Sequence, residues 1–248
     1  MNLMEKLNSL ETAARSGRAT DRRELVLALE GKSPKLRWVA AQLLTALDDK
    51  ASSQKIAALL KDPNSEVRYH AADALGVLLA GTRKAPSGLI KLIGDKDSLA
   101  RVQAIDALEA IQDKSALRAV LSALSDKDPL VRGHAAAAVA GLGGRGCRAE
   151  LRAHLANERD PWAEVGFLDS LYRLGDRTVF GRLVAKLTAD SYHVRCAAAN
   201  ALAGMKLAHP ARRTAIFSLR RAKRHRIGAA DAEAVTRALR SLTRRAKN

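Results

Sequence analysis

The stretch Asn64-Ser65-Glu66-Val67-Arg68-Tyr69-His70-Ala71-Ala72-Asp73-Ala74-Leu75-Gly76 decides the fold, because the chain repeats it. Asp128-Pro129-Leu130-Val131-Arg132-Gly133-His134-Ala135-Ala136 is the same arrangement further on. With the arginine as reference, Arg37, Arg68, Arg101, Arg132, Glu164 and Arg195 form one column, spaced by 31, 33, 31, 32 and 31 residues. Self-similarity at a period of roughly 20–50 residues is the mark of a repeat architecture.

Four positions before the column stand Ser33, Asn64, Asp97, Asp128, Asp160 and Ser191, all able to accept a hydrogen bond from a free N–H at a helix start. Pro34, Pro129 and Pro161 follow three of these caps, at the first helical position, where a missing N–H does no harm. Six helices are expected to begin there.

Three, four, seven and ten positions after the column lie apolar residues, as in Ala71/Ala72/Leu75/Leu78 and Ala104/Ile105/Leu108/Ile111. That spacing is one face of a helix. Small residues at the near positions allow a neighbouring helix to approach closely. Phe167 takes such a small position in the fifth repeat and calls for a local adjustment.

After a short break comes a second amphipathic helix, carried by Ile56/Leu59/Leu60, Leu89/Leu92/Ile93, Leu117/Val120/Leu124, Leu151/Leu155, Leu183/Val184/Leu187 and Ile216/Leu219. The unit is a helical hairpin of about 32 residues that cannot bury its apolar stripes alone. Hairpins must stack in order, so the expected fold is an all-α solenoid. One domain over 1–248 is expected, with capping helices within 1–32, six repeats over 33–223 and a basic capping helix within 224–248.

Composition agrees. The 248 residues are 47% hydrophobic, 28% charged and only 3% aromatic, which suits close helix packing better than a β-sandwich. Charges interrupt the leucines of the first residues, and no stretch reaches the roughly 18 apolar residues of a membrane span. A cytosolic monomer with no membrane contact is the expectation. Cys147 and Cys196 have no metal-ligand spacing and read as packed thiols.

The pattern Asp-Pro-x-x-Val-Arg-x-x-Ala-Ala-x-Ala-Leu-Gly resembles the bacterial HEAT repeats first named from phycobilisome lyases. The resemblance covers about 33–223 and implies a right-handed superhelix. It also implies that Arg37, Arg68, Arg101, Arg132 and Arg195 bond to acidic or backbone groups between layers. Glu164, breaking the column, is expected to pair with Arg132 or Arg195.

Enzymes on this scaffold set tests. The HEAT-repeat deoxyhypusine hydroxylase holds iron with His-Glu pairs, whereas His70, His134, His154, His193, His209 and His225 are followed by Ala, Ala, Leu, Val, Pro and Arg. His70 and His134 share a repeat position and read as interhelical hydrogen-bonding residues. HEAT-like DNA glycosylases set an acid beside aromatics, and Trp162, Asp169 and Tyr172 lie close in sequence. Gly141-Leu142-Gly143-Gly144-Arg145-Gly146 ends a helix and lacks the strand a phosphate loop follows. No catalytic, cofactor or metal site is assigned, and bilin-lyase or glycosylase activity is the least favoured reading.

Charge is the remaining signal. Lys and Arg number 43 against 26 Asp and Glu, a net +17, of which residues 145–248 supply +13. The centre is Arg212, Arg213, Arg220, Arg221, Lys223, Arg224 and Arg226, with Arg148, Arg152, Arg182 and Lys186 as candidates to extend the patch. Such a surface suits an acidic partner. The preferred reading is a protein-interaction scaffold, an adaptor or inhibitor, that binds an acidic protein. A nucleic-acid binder contacting phosphates comes second, since few aromatics are present for base stacking.

Overall fold

The computed structural model describes residues 3–16, 19–224 and 228–244, and every regular element among them is helical. Two compact units divide the chain, Met1–Ala123 and Leu124–Asn248.

In the first unit, α1 (Leu3–Ser16) and α2 (Ala19–Ala28) precede the repeats. The hairpins that follow pair α3 (Pro34–Ala46) with α4 (Ser53–Ala58), α5 (Ser65–Leu78) with α6 (Ser87–Leu92), and α7 (Ser98–Ile111) with α8 (Leu117–Ser122). Leu75, Leu108 and Ile111 on the first helices and Ile56, Leu89 and Val120 on the second are completely buried. At full burial each such side chain contributes about 1.5–3 kcal/mol. Leu47, the cap just past α3 at the corresponding stripe position, is only half-buried. Gly76 permits the close α5–α7 approach, since a Cβ there would stand 2.9 Å from the Ala107 Cα.

The second unit continues with α9 (Pro129–Leu142), α10 (Arg148–Asn157), α11 (Pro161–Arg173), α12 (Phe180–Ala185), α13 (Tyr192–Gly204), α14 (His209–Arg224) and α15 (Ala229–Arg244). Phe167 is wholly buried, its ring parallel to that of His154 on α10 at 6.5 Å. The adjustment lies beside it: Gly166 packs on Gly133, where a Cβ would collide with the Gly133 carbonyl. Here glycine stands on both sides of the contact, whereas between α5 and α7 Gly76 meets Ala107. The Gly-rich stretch ends α9, with Gly143 as its cap and Gly144 at φ +69°.

All six first helices start at the expected residues. Asn64, Asp97, Asp128 and Asp160 cap with their side chains, the last accepting from both Trp162 N and Ala163 N at 2.9 Å. Ser33 and Ser191 do not. Their carbonyls nonetheless accept from the Arg37 and Arg195 N–H groups at the helix starts.

Candidate docking surface

A candidate surface needs side chains that the fold does not already use, and the arginine column is used. Arg37 forks onto Asp62 at 2.6 and 2.9 Å and reaches back to the Gly31 and Lys32 carbonyls. Arg68 binds Asp95 and the Asp62 and Pro63 carbonyls in the same way. Arg132 takes Glu158 and the Asp126 and Lys127 carbonyls, and Arg195 takes Asp231 and the Ala189 and Asp190 carbonyls. Arg101 reaches the Asp95 and Lys96 carbonyls.

The acidic half of this ladder went unread in the sequence, although it has its own signal. Asp62, Asp95, Asp126 and Glu158 stand six residues before Arg68, Arg101, Arg132 and Glu164. Each also accepts an N–H at the next helix start, as Asp95 does from Asp97 N at 2.9 Å. Burial pushes the Asp62, Asp95 and Glu158 carboxyls up, but the arginine and backbone hydrogen bonds together hold them below the usual carboxylate range.

Glu164 departs from expectation. It pairs with Arg182 of α12 and with Lys186 just past that helix, not with Arg132 or Arg195. The reason is local: Arg132 is taken by Glu158 and Arg195 by Asp231, while Ala189 occupies the place where the other repeats carry an acid. The ion pair persists with its polarity reversed.

These pairs shrink the basic patch. Arg182 and Lys186 serve Glu164, Arg152 binds Asp176 and Thr178, and Arg212 donates to the Leu207 carbonyl. Arg226 lies outside the described residues. Arg148 is exposed on α10. Arg213, Arg220, Arg221, Lys223 and Arg224 are all exposed on α14, and no ion pair engages them among the described residues.

The amphipathicity of α14 places them there. Ala215, Leu219 and Ala222 turn inward and are buried, so Arg213, Phe217, Arg220 and Arg224 share the outward face at helical spacing. Phe217 is 67% exposed amid these cations, and beside it His209, Pro210, Arg213 and Thr214 line a shallow cleft of about 490 Å³. Residues 191–230 carry nine Lys and Arg and no acid, which leaves this surface without local neutralisation.

The aromatic and acidic residues of the fifth repeat divide. Trp162 and Asp169 line one groove of about 280 Å³ with His134 and Asn200. Tyr172 does not join them, being buried against Phe180 and under the Arg177 guanidinium at 4.2 Å. His70 bonds Gln42 of α3 at 3.2 Å and stacks on Trp38. Cys147 is buried and Cys196 half-buried, neither in a disulfide, and burial raises both thiols. Among the described residues no group of three His, Cys, Asp or Glu could hold a metal ion, and no helix is long and apolar enough to cross a membrane.

Stacked helical hairpins with an arginine ladder and a basic outer helix define a repeat scaffold. The profile of HEAT repeats matches residues 22–99 and 86–168, more than half of the chain, and the chain belongs to that family. Protein YibA of Escherichia coli, in strains K12 and O157:H7, is 32% identical over 96 residues, 39% of this chain. The match spans a third of YibA's own length. Among solved structures, the complex of CpcE and CpcF of phycocyanin lyase from Nostoc sp. PCC7120 superposes with a TM-score of 0.66. That likeness covers 89% of this chain and 94% of the other at 21% identity, and it concerns the fold.

Proposed function

We propose that the chain is a protein-interaction scaffold, an adaptor or inhibitor, that docks an acidic protein surface on the outer face of α14. The carrying observation is the row Arg213, Phe217, Arg220, Arg224, exposed and unpaired in a segment without acids. Clustered cations steer and hold an acidic surface, and an exposed aromatic among them supplies the apolar anchor that interface centres favour. Stacked repeats serve binding by presenting extended surfaces of this kind. The CpcE and CpcF structure is itself a complex of two proteins, in keeping with that use.

Affinity capture with the parent chain and with the variant R220E/R221E/R224E, read by quantitative mass spectrometry, tests the reading. A protein retained by the parent, lost from the variant and released by moderate salt is the expected result. Retention abolished by nuclease treatment would favour the phosphate-backbone alternative, with its steep salt dependence. Equal retention by both chains would overturn a role for α14.

A further inference from the structure

The groove on α9, α11 and α13 goes beyond the α14 surface and does not depend on it. Its construction begins with the glycine contact between Gly133 and Gly166, which brings the His134 and Trp162 rings to 5.3 Å. Ala137, Ala197 and Ala201 keep the walls low, so space of about 280 Å³ remains above Asp169 and Asn200. Ligand pockets start at roughly 300 Å³, so this groove suits one long side chain.

Its chemistry selects charge. The Asp169 side chain is only 16% exposed, and its ion pair is with Arg173, four residues on, at 3.6 Å. Ladder pairs in the same unit close to 2.7 Å, as Arg132 does on Glu158. Arg173 is 41% exposed, pairs with Asp169 by charge and a side-chain hydrogen bond, and is also directed to the Ala137 carbonyl at 3.4 Å, so its guanidinium is shared between two acceptors. Burial outweighs Arg173 and pushes the carboxyl up to about 6. A carboxylate held this way gains from a second cation, and an indole beside it adds cation–π attraction.

We infer that the groove of His134, Trp162, Asp169 and Asn200 binds a cationic side chain, an arginine or lysine of a protein ligand. The cation meets Asp169, its aliphatic stem lies along Trp162, and the Asn200 amide oxygen is available to a remaining N–H.

The test is calorimetric titration of the full chain with blocked arginine amide and, separately, with the corresponding citrulline amide, which keeps the shape and loses the charge. Saturable arginine binding at least about tenfold tighter than citrulline, a difference of about 1.4 kcal/mol, is expected. A W38F background then locates the site, because Trp162 becomes the one tryptophan, and its fluorescence should respond to arginine but not after D169N. Failure to saturate, or equal binding of citrulline, would overturn the inference whether or not D169N folds. Equal quenching by a neutral nucleoside would also overturn it, since Trp162 would then act as a stacking platform. R220E/R221E/R224E should bind arginine amide as the parent does, which separates this site from the α14 reading.

Discussion

Arg68 Nη2 stands 2.7 Å from Asp95 Oδ1, and the main-chain carbonyl of the same Asp95 accepts from Arg101 Nη1 at 2.8 Å. One aspartate therefore joins two successive arginines, and the second and third repeats are tied through a residue outside either helix. The carboxylate belongs to one rung and the carbonyl to the following one.

Removing the cation from such a rung leaves a mostly buried carboxylate. R68A should destabilise the chain by about 3 kcal/mol, the order expected when one partner of a buried pair is lost. The exposed Arg15–Glu11 pair on α1 sets the contrast, and R15A should change stability by no more than about 0.5 kcal/mol. Denaturant unfolding followed by far-ultraviolet circular dichroism measures both. A shift for R68A no larger than for R15A would remove the ladder from the account of stability.

The reversed rung makes a sharper prediction. E164R alone places a cation against Arg182 and Lys186 and should be destabilising, whereas E164R/A189D restores the arrangement of the other repeats. The double variant should recover at least about 1 kcal/mol relative to E164R, a coupling typical of residues sharing a contact. A189D alone gains no arginine and should not stabilise. A double-mutant cycle in denaturant reads the coupling directly, and strict additivity would contradict it.

Two sets of carboxyls give opposite pH slopes. Asp62, Asp95 and Glu158 titrate lower in the fold than in the unfolded chain. Their contribution is present above about pH 4 and is lost as pH falls through their folded values. Asp169 titrates near 6 when folded against 3.8 when free, so the folded state binds more protons between those values and stability declines as pH rises across that window. Melting temperature followed from pH 3 to 7 should therefore pass through a maximum whose alkaline flank flattens in D169N. An unchanged flank in that variant would assign it to other groups.

Much of the fold was legible because stacking hairpins impose a period on the chain. The arginine column, the cap positions and stripes such as Ala104/Ile105/Leu108/Ile111 each serve the same place in successive layers, so comparing the chain with itself exposes them. The acidic half of the ladder had the same periodicity, six residues ahead of the column, but aspartates beside helix caps look like ordinary turn residues until their partners are seen. Glu164 shows the limit most directly. Its place in the column was plain, yet its partners depended on which neighbouring charges were already taken.

The candidate surface was legible only as a quantity of charge. Composition and order determined that the chain is helical, repetitive and strongly basic toward its end, because periodicity and net charge are properties of the linear string. Which cations are free was decided by tertiary structure. Arg152, Arg182, Lys186 and Arg212 read no differently in sequence from Arg213, Arg220, Arg221 and Arg224, and packing alone brings the first group within reach of Asp176, Glu164 and the Leu207 carbonyl. The groove likewise required the fold, since His134 on α9 and Asn200 on α13 lie 66 positions apart and line one space only because α11 packs between their helices, with two glycines letting α9 and α11 close.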